Sequence, residues 1–144
     1  MPKGKVHTMI QVIYGQKGTG KTKTLVETAN SLSKEIGGTV VFVDYTSQLM
    51  YNLNREIRFV DTSDFPMAGW ESFFGFICGM ISQNYDIQAI FIDGLNHITK
   101  KAANELEPFF NQLKTISGKF NVDFYVTLSG SKSEMPEYLK EFES

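Results

Sequence analysis

The chain has 144 residues, of which 42% are hydrophobic and 21% charged, and 14 Lys and Arg against 16 Asp and Glu give a net charge of −2. These values predict a single globular domain over residues 1–144, exclude an intrinsically disordered chain and do not support a domain-wide nucleic-acid-binding surface. One cysteine, Cys78, excludes an internal disulfide and favours a cytoplasmic location. The polar Met1–Met9 and the shortness of the longest mostly apolar run, Phe73–Ile81, predict neither a secretory signal nor a membrane span.

The first half of the chain predicts a strand, a helix and a second strand. Met9–Tyr14 is a short β-rich run that ends at a glycine. From Lys21 the apolar residues recur with helical spacing until Gly37–Gly38, a helix stop. Thr39–Val43 is an almost unbroken β-branched run, which is typical of a parallel strand covered on both faces. These elements form a βαβ unit.

A polar segment, Tyr45–Met67, follows and contains one possible short strand at Ile57–Val60. Trp70–Tyr85 is a Phe-rich run that predicts a buried helix. Its Gly75 and Gly79 lie one turn apart, so we expect the helix backbone to approach the sheet closely there.

The remaining residues predict two further strands around a helix. Ala89–Asp93 is a buried strand, and we expect Asn104 to cap the helix that follows, with Pro108 in its first turn. Val122–Leu128 alternates apolar and polar residues, which indicates one solvated face. Alternating strands and helices predict a three-layer α/β domain with a mainly parallel sheet of about four to five strands.

One stretch between the first strand and the first helix matches the pattern G-x-x-x-x-G-K-[ST] in full: Gly15, Gln16, Lys17, Gly18, Thr19, Gly20, Lys21 and Thr22. Its glycines let successive N–H groups turn inward as an anion-binding nest, and the helix start adds its positive dipole end. Lys21 can reach the β- and γ-phosphates of a nucleotide, and the Thr22 hydroxyl can ligate Mg²⁺. These eight residues are the candidate nucleotide-binding residues.

Two aspartates end strands at the same edge of the predicted sheet. Asp93 follows a buried strand beside the phosphate crevice, where a carboxylate can orient a water on Mg²⁺. Asp44 is a candidate general base or second Mg²⁺ partner, and a plain turn residue fits its position equally well. The candidate catalytic residues are therefore Lys21, Asp93 and Asp44, and the candidate metal ligands are Thr22 and Asp93.

The glycine loop (Gly15–Thr22) and the run Ala89–Asp93 resemble the Walker A and Walker B motifs of the P-loop NTPase superfamily. The resemblance covers Met9–Ser129 and extends to the small P-loop ATP-binding proteins of bacteria, without indicating a subfamily. It implies a P-loop nucleotide-binding domain with ATP and Mg²⁺ as ligands, phosphate binding by the loop and Mg²⁺ support by Asp93. By the same analogy Ser129 is a γ-phosphate sensor, although a hydrogen-bonded turn is the simpler interpretation.

The sequence also departs from the family pattern. Many hydrolysing members carry a Glu after the Walker B Asp, and Gly94 stands there in this chain. No Asn-Lys-x-Asp motif follows, so ATP is the default nucleotide. Arg55 and Arg58, the two arginines of the chain, are candidates for phosphoryl transfer or for completing a neighbour's site, or they are simply solvated. His97 is a candidate γ-phosphate sensor or a surface histidine.

Three functions fit these features. The first is a slow ATPase or ATP-driven switch, a nucleoside-triphosphate hydrolase that acts through a protein partner or a homo-oligomer. The second is a small-molecule kinase with its acceptor site in Tyr45–Met67, and the third is a nucleotide-binding regulatory module without turnover. A strand Val122–Leu128 between the two Walker strands indicates a RecA-like core, whereas adjacent Walker strands indicate a kinase-like one. The sequence leaves this order open, and the alternation of Val122–Leu128 slightly favours an edge position.

Overall fold

A computed structural model describes residues 9–143. The expectation that Met1–Met9 is not a secretory signal concerns residues that, except for Met9, lie outside this range. The described residues contain five strands and four α-helices, and none of these helices is long and apolar enough to cross a membrane. The elements are β1 Ile10–Gly15, α1 Lys21–Glu35, β2 Thr39–Asp44, β3 Arg58–Asp61, α2 Gly69–Gln83, β4 Ile87–Ile92, α3 Leu95–Thr99, α4 Glu107–Phe120 and β5 Asp123–Ser129.

The five strands form one sheet in the order β1-β5-β4-β2-β3. Every neighbouring pair is parallel, so the carboxyl ends of the strands meet at one edge, where open α/β sheets bind their ligands. β5 separates β1 from β4, which is the first of the two strand orders left open above.

Helices cover both faces of the sheet because its central strands bury side chains on both. In β2, Val41 and Val43 lie on one face and Val40 and Phe42 on the other, since successive side chains of a strand alternate. The first face packs against α2 and α4, and the second packs against α1 and residues 49–57. The predicted three-layer α/β class is therefore confirmed.

β5 is a central strand, so the slight preference for an edge position with one solvated face was wrong. All residues of the run Phe124–Leu128 are buried. The Tyr125 ring stacks on Phe91 with centroids 4.4 Å apart, and the Thr127 hydroxyl lies 2.8 Å from Asp93 Oδ1. Tyr125 and Thr127 thus meet partners inside the protein, whereas Asp123 at the start of the strand is half-buried.

The expected close approach at the α2 glycines was also wrong. The buried stripe of α2 consists of Phe73, Ile77 and Ile81, which places Gly75 and Gly79 on its exposed side. A Cβ added at either glycine would have no atom within 4 Å. The side chains of Phe73, Ile77 and Ile81 therefore pack toward the sheet, and the two glycines do not.

The start of α4 differs from the sequence-based expectation as well. The helix begins at Glu107 with Pro108 in its first turn, and Asn104 lies in a separate 3₁₀ turn, Ala103–Glu105. Asn104 therefore does not cap α4, because this short turn precedes the helix and moves its start to Glu107.

The residues after β5 fold back onto the domain. They include a 3₁₀ segment, Glu137–Phe142, whose Leu139 is fully buried. The Phe142 ring stacks on Phe110 of α4 with centroids 5.3 Å apart, and Glu143 forms a parallel bridge with Val12 of β1. The chain end thus covers part of the β1 edge.

Candidate functional site

The glycine loop joins β1 to α1 at the carboxyl edge of the sheet. Gly18 and Gly20 both have a φ of 86°, a left-handed conformation that glycine adopts without the penalty of a Cβ. Gly20 is also the N-cap of α1, so the unpaired N–H groups of the first helical turn lie next to the loop. This backbone has the features of an anion-binding loop.

Two side chains of the loop donate to the same carbonyl oxygen, that of Gln16. Thr19 Oγ1 lies 2.7 Å from it and Lys21 Nζ 2.8 Å from it. Burial lowers the pKa of the Lys21 amine, and the negative charge of Asp93 opposes that shift. The Lys21 ammonium is thus held against the loop and within the electrostatic reach of Asp93, whereas Lys17 is exposed.

The two predicted metal ligands lie together. Asp93 directly follows β4 and is 6% exposed, and Thr22 lies in the first turn of α1. The Thr22 hydroxyl lies 3.1 Å from each carboxylate oxygen of Asp93. Residues 71 positions apart in the chain therefore share one hydrogen-bonded pair beside the glycine loop.

Thr127 of β5 completes this cluster, and the sequence-based analysis missed it. Its hydroxyl donates to Asp93 Oδ1 at 2.8 Å and accepts from the Gly94 amide at 2.7 Å. The pairing of Ile92 with Val126 places Thr127 opposite Asp93. The only sequence signal was a hydroxyl within a buried strand, and reading it required knowing that β5 neighbours β4.

Asp44 ends β2, the other neighbour of β4, and is 2% exposed. Burial raises the pKa of its carboxyl to about 6; the hydrogen bond from the Tyr45 amide opposes this rise, and the charges of Asp93 and Asp61 reinforce it. The Tyr45 amide nitrogen lies 2.7 Å from Asp44 Oδ1. A carboxylate with a raised pKa can accept a proton, and the hydrogen bond from the Tyr45 amide is also typical of a turn aspartate, so both interpretations of Asp44 fit this position.

Gly94 lies under an aromatic pair. Its φ is 73°, and an added Cβ would lie 2.8 Å from Tyr45 Cε1. The Tyr45 ring stacks on His97 with centroids 4.6 Å apart. A side chain at position 94, directly after Asp93, would therefore meet the Tyr45 ring, which would have to move to admit it.

The other sequence candidates lie at different distances from this cluster. Ser129 is the last residue of β5, and its amide donates to Asn96 Oδ1 at 3.3 Å, a contact between two separate elements. Arg58 is the first residue of β3, at the end of the strand opposite the glycine loop, and Arg55 is exposed in the preceding turn. The structure thus brings neither arginine to the loop within the same chain.

Two cavities open at this edge of the sheet. One of about 540 Å³ is bordered by the glycine loop together with Tyr14, Thr24 and Lys132. The other, of about 610 Å³, is lined by Tyr45 and His97 among others. Both volumes are in the range of small-ligand sites.

The residues of the site fit ATP with Mg²⁺. The loop backbone and Lys21 can contact phosphates, and Thr22 and Asp93 supply the oxygen ligands that Mg²⁺ prefers. Residues 9–143 contain no group of three or more His, Cys, Asp or Glu side chains that could hold a metal ion. A Mg²⁺ ion at this pair would therefore need further oxygen ligands from phosphate or water, as is usual for nucleotide-bound Mg²⁺.

The chain was also compared with known proteins. No protein-family model matches it, and no curated protein matches it.

Proposed function

We propose that this protein is a P-loop NTPase that binds ATP with Mg²⁺ and acts as a slow ATPase or ATP-driven switch. Its output passes through a protein partner or through a homo-oligomer. We also propose a cytoplasmic location, on the basis of the single cysteine and the requirement for ATP.

The observation that carries the proposal is the hydrogen bonding of Thr22 to both carboxylate oxygens of Asp93 at 3.1 Å. A glycine-rich turn that matched the motif by chance would have no reason to place its last hydroxyl against a buried acid from a different strand. The adjacent loop has left-handed glycines and a lysine amine 2.8 Å from a loop carbonyl. Together these groups provide a phosphate cradle beside two oxygen ligands for Mg²⁺.

The residues of the chain divide the work of such a site. The loop N–H groups and Lys21 bind and orient the phosphates. Thr22 and Asp93 would hold a Mg²⁺ ion, which would supply positive charge to the phosphate oxygens. Asp44 accepts the proton of an attacking water, with its pKa of about 6 suited to that role. Because Gly94 follows Asp93 directly, no carboxylate stands at that position, and we expect slow turnover in the isolated chain.

The kinase alternative rests on the cavity of about 610 Å³ beside Tyr45 and His97, which is large enough for an acceptor. The order β1-β5-β4-β2-β3 supports the ATPase or switch instead, since a kinase-like core would pair the strands of the two motifs directly. The alternative of a regulatory module without turnover rests on Gly94, which stands where many hydrolysing P-loop proteins carry a glutamate.

Titration calorimetry with ATP and Mg²⁺ tests the proposal. We expect the wild-type protein to bind and Lys21→Ala to bind about 10- to 100-fold more weakly, because a charged hydrogen bond to phosphate is lost. Lys23→Ala is the matched control, since Lys23 is an exposed lysine of the same helical turn, and its affinity should stay within about twofold. A wild-type protein that binds no ATP, or equal losses in both variants, contradicts the proposal.

Phosphate release then separates the three functions. Slow release that Asp44→Asn removes while ATP binding persists supports the ATPase. Transfer to a nucleoside or metabolite that is faster than hydrolysis supports the kinase, and binding without either reaction supports the regulatory module.

A further inference from the structure

The Asp93 carboxylate accepts hydrogen bonds from two hydroxyl groups, and these differ in how far they restrict its orientation. Thr22 lies 3.1 Å from both oxygens, so its hydrogen bond does not distinguish between them. Thr127 contacts Oδ1 alone, at 2.8 Å. The shorter and one-sided contact therefore defines the rotation of the carboxylate about its own axis.

The direction of the Thr127 proton is also set by the structure. The Gly94 amide donates to Thr127 Oγ1 at 2.7 Å, so the oxygen acts as an acceptor there and its proton is free to point to Asp93. A hydroxyl has one proton to donate. The Gly94 amide thus donates to Thr127, and Thr127 in turn donates to Asp93.

Burial makes this arrangement costly to disturb. Thr127 is 2% exposed and Asp93 6% exposed, and a buried polar group left without a partner costs roughly 1–3 kcal/mol. Packing alone does not require a hydroxyl at this position, because valine has the same shape. The Thr127 hydroxyl links Asp93 and Gly94, the two residues after β4, to the central strand β5 by hydrogen bonds.

We infer that Thr127 is a positioning residue for Mg²⁺: it holds Asp93 Oδ1, so that the other carboxylate oxygen and the Thr22 hydroxyl are presented to the metal beside the glycine loop. The inference rests on the proposed function. Thr22 serves as a metal ligand in that function, whereas Thr127 keeps Asp93 in place whether or not the metal is bound. Residues that orient a metal ligand typically contribute about 10- to 100-fold to metal affinity.

The test compares ATP affinity in Mg²⁺ with ATP affinity in excess EDTA for three variants. We expect Thr127→Val to reduce the Mg²⁺-dependent gain in affinity about 10- to 100-fold and to leave the affinity in EDTA within about twofold. Thr127→Ser, which keeps the hydroxyl, should restore most of the gain. An unchanged gain in Thr127→Val overturns the inference.

Ser117→Ala is the matched control. Ser117 is also 2% exposed, and its hydroxyl donates to the Val122 carbonyl at 2.6 Å, near the opposite end of β5. The variant removes an equally buried hydroxyl at a distance from the glycine loop, so its Mg²⁺-dependent gain should equal that of the wild type. An equal loss in Ser117→Ala would show that the effect reflects stability, and it overturns the inference.

Hydrogen exchange of the Gly94 amide gives a second readout that needs no variant. We expect this amide to exchange no faster with an ATP analogue and Mg²⁺ than without them, because Thr127 keeps accepting its hydrogen bond. Faster exchange in the complex overturns the positioning role. A wild-type protein that binds no nucleotide in either Mg²⁺ or EDTA overturns the proposed function itself, whereas Mg²⁺-dependent binding that Thr127→Val leaves intact overturns this inference alone.

Discussion

At Gly94 the main chain turns with a φ of 73° beneath the ring of Tyr45. Two separate effects therefore disfavour any side chain there: the left-handed backbone and the ring atom 2.8 Å from the position of a Cβ. A side chain directly after Asp93 is thus disfavoured both by the backbone conformation and by packing. The packing contribution comes from Tyr45, which directly follows β2 and stacks on His97.

Gly94→Ala should lower the free energy of unfolding by about 2–4 kcal/mol, because the left-handed conformation costs about 1–2 kcal/mol and Tyr45 must also shift. Urea unfolding measures the change. Gly118→Ala in α4 is the control, since an added Cβ there meets no atom within 4 Å, and we expect it to stabilise the helix by about 0.5–1 kcal/mol. Equal effects of the two substitutions would contradict this prediction.

Asp44→Asn should stabilise the protein at neutral pH in the absence of nucleotide and Mg²⁺. Burial raises the pKa of Asp44 from 3.8 to about 6 in the folded state, so folding favours the protonated carboxyl. That favourable contribution is fully present below pH 3.8 and is lost as pH rises through about 6. Removing the charge should therefore add about 1–3 kcal/mol at neutral pH.

Unfolding in urea at about pH 4 and about pH 7.5 measures this dependence. The difference between Asp44→Asn and the wild type should grow with pH across that interval. A constant difference at both pH values would show that the Asp44 pKa is not raised by folding.

Among the elements, the C-terminal 3₁₀ segment shows how far the core extends beyond the sheet and its helices. Leu139 belongs to the same apolar cluster as Phe110 of α4 and Val12 of β1. Helical periodicity in the sequence does not reveal such a short segment, because one or two turns contain too few repeats to establish a pattern.

Leu139→Ala should therefore lower the free energy of unfolding by about 2–5 kcal/mol, as expected for a large-to-small change in a filled core. Tyr51→Ala is the control: Tyr51 is 89% exposed, and its loss should change stability by less than about 0.5 kcal/mol. Urea midpoints measure both changes. A Leu139→Ala effect as small as that of Tyr51→Ala would mean that the segment does not pack as described.

The strands whose residues are apolar on both faces were predictable from the sequence. Thr39–Val43 lies within β2, and the apolar residues of Ala89–Asp93 belong to β4, because a continuous apolar run has few alternatives to a doubly covered parallel strand. β5 was misjudged because alternation indicates two chemical environments without saying whether the polar one is solvent. Here that environment is the ring of Phe91 and the carboxylate of Asp93.

For the whole molecule, ligand binding should appear as thermal stabilisation. If ATP with Mg²⁺ binds the folded state alone, a ligand concentration of about 100 times Kd adds about 2.7 kcal/mol. For a chain of this size that corresponds to a rise in Tm of roughly 5–10 °C. Differential scanning fluorimetry should show the rise in the wild-type protein, and both EDTA and Lys21→Ala should reduce it; an unchanged Tm at saturating ATP and Mg²⁺ would contradict the prediction.

The candidate site, like the apolar strands, was predictable only where a local sequence pattern indicates it. Motif spacing singles out Thr22 and Asp93, and the structure places them in contact. The contributions of Thr127 and Tyr45 depend on strand order and on the conformation of an irregular segment, neither of which has a local signature in the sequence. Local patterns thus identify the residues that would touch a nucleotide better than the residues that hold them in place.

The pairing of β1 with β5 also affects the order in which the sheet folds during synthesis. The strand that leads into the glycine loop is an edge strand whose partner is β5, the last strand among the described residues, with Ile10 paired to Phe124. Contacts of such long sequence separation form late, because the chain between them must first be produced and ordered. β1 therefore joins the sheet only after residues 123–129 have been synthesised, so a nascent chain that stops before β5 lacks the strand pairing beside the glycine loop.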